Sequence, residues 1–258
     1  MHLDFYKYHG TGNDFIMIDG RGSHLLEELT PERVSRLCHR RTGVGADGLI
    51  VIEASENDGF YMHYYNADGY PGSMCGNGGR CSVLFAHHLG MINFSGTFQA
   101  MDGSHFFKIL AANEHEGKVS ISLNVNGEIS TIDEAAFELN TGSPHYVKIV
   151  PDLTQIDVFA AGKSIRYSPA YAASGINVNF VQLVPGGIKM ATYERGVEDV
   201  TLSCGTGVTA SALVAHHKFD YSYPLTVETY GGKLKVDQSD KIYLTAQAVK
   251  VFQGNLSL

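Results

Sequence analysis

The chain has 258 residues and 28.0 kDa, and its 19 basic against 27 acidic side chains leave a net charge of −8. No basic run stands out, so a phosphate backbone or an anionic membrane surface would be repelled, which argues against nucleic-acid and membrane roles. Apolar residues make up 44%, with 29 glycines, 14 tyrosines and 13 phenylalanines: a globular chain with many turns and half-buried strands, long enough for two domains or one large β-rich unit. The start, MHLDFYKYHG, lacks a basic segment followed by a long apolar one, and no apolar run approaches the ~20 residues of a membrane helix, so the expected location is cytoplasmic.

In chain order, Thr30-Pro31-Glu32-Arg33-Val34 to Cys38 predicts an amphipathic helix, capped by Thr30 with Pro31 in its first turn. Phe60 to Tyr65 has strand composition, and Asn66 to Gly72 is turn chemistry. Arg80 to Leu89 is a helix apolar on nearly every side, which belongs inside something. Lys118 to Val125 alternates like a strand with one buried face, and Lys189 to Tyr193 also has strand composition. A second all-round apolar helix covers Val208 to Phe219, followed by alternating runs at Leu225 to Tyr230 and Lys241 to Thr245.

The chain contains a repeat. CGNGGRCSVLFAHHLG from Cys75 and CGTGVTASALVAHHKF from Cys204 agree at eight of sixteen positions without a gap, at an offset of 129 residues, half the chain. Tyr65-Asn66-Ala67-Asp68-Gly69 precedes the first copy much as Tyr193-Glu194-Arg195-Gly196 precedes the second. This reads as a duplication: an α+β chain of two pseudo-symmetric domains, each a curved β-sheet or barrel around a central helix. Residues 1–115 with a C-terminal segment of about 247–258 are expected to form the domain bearing Cys75, and 116–246 the domain bearing Cys204.

Four cysteines, Cys38, Cys75, Cys81 and Cys204, spaced by 37, 6 and 123 residues, fit neither a disulfide framework nor a structural zinc site. Cys38 and Cys81 read as packing. Cys75 and Cys204 lie where a buried helix begins, beside unsatisfied backbone N–H groups and the positive end of the dipole, a setting that favours thiolate. The glycines behind them, Gly76, Gly78, Gly205 and Gly207, let a ligand approach the backbone, where exposed N–H groups would bind a carboxylate. A pseudo-twofold arrangement would turn two thiols to one cleft. Inverting a carbon that bears a hydrogen and a carboxylate needs a base on one face and an acid of similar strength on the other, and a thiolate with a thiol suffices without a cofactor. His87-His88 and His216-His217 suggest a metal, but adjacent helix positions diverge by about 100° and lack a suitably spaced acidic or thiol partner, so no metal is expected.

Eight segments, in order, resemble the diaminopimelate epimerase family: His9-Gly10-Thr11-Gly12-Asn13-Asp14-Phe15, Gly45-Ala46-Asp47-Gly48, Tyr65 to Gly69, Cys75 to Cys81, Gly142-Ser143-Pro144-His145, Asn177-Val178-Asn179-Phe180, Glu194-Arg195-Gly196 and Ser203 to Gly207. The resemblance spans nearly the whole chain. It implies two domains, each a β-barrel around a helix, with Cys75 and Cys204 as the acid and base pair and His145 and Glu194 as supporting catalytic groups. The reacting carboxylate would be held by the backbone of Gly76, Asn77, Gly205 and Thr206. Asn13, Asn66, Asn177, Glu194 and Arg195 would recognise the other amino and carboxylate groups. Two positions depart from the family's usual pattern: Gly48 stands where Gln is common and Ser143 where Asn is usual. The implied activity is cofactor-independent interconversion of LL- and meso-diaminopimelate, in lysine and peptidoglycan synthesis, by a homodimer whose only other partner is its small amino-acid substrate. The alternatives are a two-cysteine proline or hydroxyproline racemase, against which Glu194 and Arg195 speak, and a thiol-redox or amino-acid-binding protein with Cys75 and Cys204 in a regulatory disulfide.

Overall fold

The computed structural model describes residues 2–56, 58–125 and 128–257; Met1 and Leu258, the outermost residues of the expected first domain, lie outside them. The chain divides into two compact units, residues 1–122 with 246–258, and residues 123–245. The first contributes β1 (His2–Gly10), β2 (Asn13–Asp19), α1 (Leu25–Glu28), α2 (Pro31–Cys38), β3 (Gly48–Glu53), β4 (Tyr61–Asn66), α3 (Gly76–His88), β5 (Ser95–Ala100), β6 (Gly103–Ala112) and β7 (Glu116–Leu123). The second contributes β8 (Ser130–Asp133), β9 (Ala136–Asn140), β10 (Pro144–Ile149), α4 (Val158–Arg166), β11 (Asn177–Val184), β12 (Gly187–Glu194), β13 (Asp199–Thr201), α5 (Gly205–Phe219), β14 (Leu225–Thr229) and β15 (Gly232–Gln238). The last strand, β16 (Ile242–Ser257), begins in the second unit and ends in the first.

In the first unit the strands run in the order β1 to β7 and then β16, and β1 pairs with β16 to close an eight-stranded barrel. Its helix α3 packs against β1, β2, β3, β4 and β6, so it lies within the barrel. Two of the strands around it, β2 and β3, are apolar on both faces. Ile16, Ile18, Leu49 and Val51 join Val34 and Leu37 of α2 and Leu25 of α1 in one cluster. By the two-residue period, Phe15, Met17, Ile50 and Ile52, all fully buried, face the other way. A strand covered by helices on both sides loses the polar alternation of a half-exposed one, which is why β2 and β3 escape a search for alternating runs.

The second unit runs β16–β15–β14–β12–β11–β10–β9–β8, with β13 on β12, and α5 packs against β9, β10, β11, β12, β14 and β15. Outside the sheet, α4 joins Val178, Phe180, Ala191 and Tyr193 in a second apolar cluster. Alternation therefore turns Asn177, Asn179 and Thr192 to the face on which α5 lies.

The expected α+β architecture of sheets around central helices is present, with shifted boundaries. Thr30 caps α2 as expected, accepting from the Arg33 N–H at 3.4 Å. Both central helices begin a turn earlier than Arg80 and Val208, because the glycines that weaken a free helix here admit close neighbours. A Cβ on Gly79 would stand 2.9 Å from Met74 Cε and 3.0 Å from Ile121 Cδ1. The run expected at Lys241 to Thr245 continues to Ser257, carried by buried Ala246 and Ala248.

Candidate active site

Cys75 and Cys204 are the N-cap residues of α3 and α5, both with extended backbone. The first intrahelical bonds come from Gly79 N to Cys75 O, 2.7 Å, and Val208 N to Cys204 O, 2.8 Å. The N–H groups of residues 76–78 and 205–207 thus precede the helical ladder, and neither first turn contains a carboxylate. Gly76, Asn77 and Gly205 are buried and Thr206 half-buried. Each start is a place where a carboxylate gains hydrogen bonds and a favourable dipole.

The turn at Cys75 is held by ions. Arg80, fully buried one turn into α3, donates to Gly76 O at 3.1 Å and to Asn77 Oδ1 at 2.7 Å, and burial brings its pKa down to about 10. Asn77 Nδ2 donates to Asn13 Oδ1 at 3.2 Å, and Cys75 Sγ stands 3.6 Å from the same oxygen. Asn13 Nδ2 in turn donates to Asp47 Oδ2 at 2.8 Å. Behind it Asp14 takes Lys7 at 2.8 Å and Arg40 at 2.7 Å, and Arg40 reaches Asp47 at 2.6 Å. Burial alone would raise the Asp14 pKa, but hydrogen bonds from Arg40 and Lys7 hold it well below the usual carboxylate range. Asn66 ends β4 half-buried, its backbone N–H donating to Tyr70 O at 2.9 Å. Gly48 is enclosed: a Cβ there would stand 2.6 Å from Tyr64 Cε2 and from Tyr65 O, so Tyr64 occupies the space a longer side chain would need.

The turn at Cys204 is held by neutral groups. Cys204 Sγ lies 3.4 Å from Thr206 Oγ1, which lies 3.1 Å from Ser143 Oγ, which lies 3.0 Å from His145 Nε2. His145 Nδ1 meets Asn179 Nδ2 at 3.1 Å. His145 is fully buried, and burial, aided by the Arg195 charge, pushes its pKa down to about 3, so the imidazole is neutral. Asn177 Nδ2 donates to Ser143 Oγ at 3.1 Å and Pro144 O at 3.0 Å, while its Oδ1 accepts from Arg195 N at 3.0 Å. Glu194 Oε2 accepts from Thr201 Oγ1 at 2.8 Å, and exposed Arg195 donates to Ser174 O at 3.3 Å.

Within the second unit the structure therefore brings Cys204, Gly205, Thr206, His145, Asn177, Glu194 and Arg195 into one connected region; within the first it joins Cys75, Gly76, Asn77 and Asn13. All four cysteines are free of disulfides, and burial drives the thiols of Cys38, to about 12, and Cys81 upward, as inert packing residues behave. The histidine pairs are engaged elsewhere: His88 Nδ1 meets Tyr8 OH at 2.7 Å and its Nε2 meets Asn113 O at 2.8 Å, while His216 Nδ1 meets Tyr221 O at 2.6 Å. Sequence reasoning gave no role to Arg80, Asp47, Asn179 or Thr192. The signals were there in an arginine inside an apolar helix and in two asparagines at i, i+2 of an apolar strand.

The family model described as "Diaminopimelate epimerase" matches residues 5–127 and 137–253. The chain is 44% identical to a Flavobacterium psychrophilum protein named diaminopimelate epimerase, over 98% of this chain and 100% of that one. It is 40% identical to a protein of the same name from Chlorobaculum tepidum, over 96% and 99%. Among solved structures, a PhzF-family phenazine biosynthesis protein from Bacillus anthracis matches with a TM-score of 0.75 at 14% identity, covering 100% of both chains. A hydroxyproline epimerase from Agrobacterium vitis matches at 0.72 and 12%, covering 100% of this chain and 93% of that one. These last two show a shared fold.

Proposed function

The chain belongs to the diaminopimelate epimerase family and is an epimerase, an isomerase, and from that premise we propose that it interconverts LL- and meso-diaminopimelate with Cys75 and Cys204 as the acid–base pair. One observation carries the reading: each cysteine caps a buried helix whose first N–H groups and glycines offer a carboxylate a bed, so a proton-transfer group and a charge-stabilising group share one turn. One thiolate takes the α-proton and the other thiol delivers a proton to the opposite face. The intermediate's charge spreads into the carboxylate, which the N–H groups of Gly76, Asn77, Gly205 and Thr206 hold.

His145 and Glu194 support that chemistry, His145 as a neutral imidazole bonded to Ser143. The distal ammonium and carboxylate of diaminopimelate call for charged and amide partners, which Asn13, Asn66, Asn177, Glu194 and Arg195 supply. A ring imino acid has no distal ammonium or carboxylate for them to meet. The reading carries with it a cytoplasmic homodimer, tested by gel filtration with light scattering.

The decisive experiment incubates reduced protein in deuterated water with LL-diaminopimelate, meso-diaminopimelate, L-proline and trans-4-hydroxy-L-proline, and follows α-deuterium and chirality. Exchange and inversion of the diaminopimelates alone is the expected result; turnover of either proline with inert diaminopimelate would overturn it.

A further inference from the structure

The amide orientations around the two cysteines are settled by partners that can act in one way only. Tyr146 O accepts from Asn179 Nδ2 at 3.1 Å, so it is the Asn179 NH₂ that faces His145 Nδ1. The neutral imidazole accordingly keeps its lone pair on Nδ1 and its proton on Nε2, which points at Ser143 Oγ. Asn177 is fixed likewise by Pro144 O and Arg195 N–H, and its NH₂ also points at Ser143 Oγ. With both lone pairs of that oxygen filled, the Ser143 proton has Thr206 Oγ1 as its acceptor, and the Thr206 proton has Cys204 Sγ.

The opposite polarity holds at Cys75. Asp47 accepts from Asn13 Nδ2, and Arg80 donates to Asn77 Oδ1, so Asn13 turns its carbonyl oxygen, which also accepts from Asn77 Nδ2, to Cys75 Sγ. An oxygen acceptor favours S–H; a hydroxyl donor favours S⁻.

We infer that Ser143 is a positioning residue which, through Thr206, holds Cys204 as the resting thiolate, while Asn13 keeps Cys75 as the resting thiol. About Cys204 stand neutral His145 on β10 and Glu194 and Arg195 at the end of β12. About Cys75, Arg80 pulls toward thiolate but directs its protons to Gly76 O and Asn77 Oδ1, the buried Cys81 thiol follows on the same helix, and the Asp47 carboxylate stands behind Asn13. This inference takes the roles of the pair from the epimerase reading and assigns the resting proton: the empty enzyme first accepts the stereoisomer whose α-hydrogen faces Cys204.

The test needs no substrate. Reduced protein is pulsed with iodoacetamide across about pH 6 to 10, and alkylation of the Cys75 and Cys204 peptides is quantified by mass spectrometry. Cys204 is expected to reach half-maximal alkylation at the lower pH. In Ser143→Ala its half-point should rise, by less than the about one pH unit that a hydrogen bond made directly to the thiolate is worth, with Cys75 unmoved. Ser143→Thr, which retains a hydroxyl, should bring it back. Should Ser143→Ala fail to fold by thermal melting, Thr206→Val breaks the next link and gives the same reading. Cys75 titrating first, or an unmoved Cys204 half-point in the folded variant, overturns the inference. Inert diaminopimelate with the expected titration would instead sink the epimerase reading alone.

Discussion

Around α3 the cysteine-bearing turn is fastened by ions, with a buried guanidinium on Gly76 and Asn77 and the Lys7, Asp14, Arg40 and Asp47 cluster behind Asn13. Around α5 the equivalent turn is fastened by hydroxyls, amides and an uncharged imidazole. The two copies of the repeat share the N-cap cysteine and its glycines and differ in the side chains that hold each turn. Two near-identical helix starts can thus be tuned to complementary protonation by neighbours that come from other strands, which a local repeat does not reveal.

The largest test of that comparison removes the thiols. Cys75→Ala and Cys204→Ala should each lower epimerisation by about 10²–10⁴-fold, with melting temperatures near that of the parent. Full activity in either would break the pairing. Next come the second glycines of the two turns. A Cβ on Gly207 would stand 2.4 Å from Asn179 Oδ1, whereas one on Gly78 would meet Ile50 Cδ1 at 2.9 Å and Met62 Cε at 3.2 Å, the ends of flexible side chains. Gly207→Ala should therefore cost about 10-fold or more in kcat and ~1–3 kcal/mol of stability, and Gly78→Ala markedly less, by steady-state kinetics and urea melts.

Acid sharpens the contrast. The folded-state pKa of His145 is depressed below its unfolded value, so its contribution is intact above about pH 6.5 and is lost as pH falls toward 3, at up to ~1.4 kcal/mol per unit. Asp14 is depressed from a carboxylate value, so its contribution survives until pH falls below about 4. His9 and His88 of the first unit are lowered by burial too, so wild type will soften generally below pH 6.5. The comparison that isolates His145 is His145→Gln: its loss of stability between pH 7 and 5, from urea midpoints, should be smaller than that of wild type, and an equal loss would refute the assignment. The smallest effect belongs to Cys81→Ala, which should cost ~1–2 kcal/mol by opening a small cavity and leave kcat within about twofold.

Legibility followed covalent proximity. The two capped helices, the strand–turn–helix repeat and the cysteine pair lie in continuous stretches, and small-residue turns ahead of apolar helices announce themselves. Strands β2 and β3 did not, since burial on both faces removes the alternation. The Ser143–His145–Asn179 connection was beyond sequence because it depends on β10 lying parallel to β11, with His145 beside Asn177 in register. Ser143 was noticed only as a departure from a family pattern; its meaning appears when Asn177, His145 and Thr206 converge on one oxygen. Gly48 is similar, since Tyr64 fills the space above it.

The long strand β16 has a consequence for how the chain comes into being. Its final residues are what close the first barrel, Leu3 pairing with Leu256 and His9 with Val249. A ribosome delivering this protein will have released the whole second unit before the first can shut. Until then β1 waits as an open edge, a ready template for the wrong neighbour. The longest-range pairing among the described residues thus waits until both units have been synthesised, so a slow closing phase set by topology is expected. Stalling translation just before Val249 would leave the first unit unsealed, however complete its own stretch of sequence.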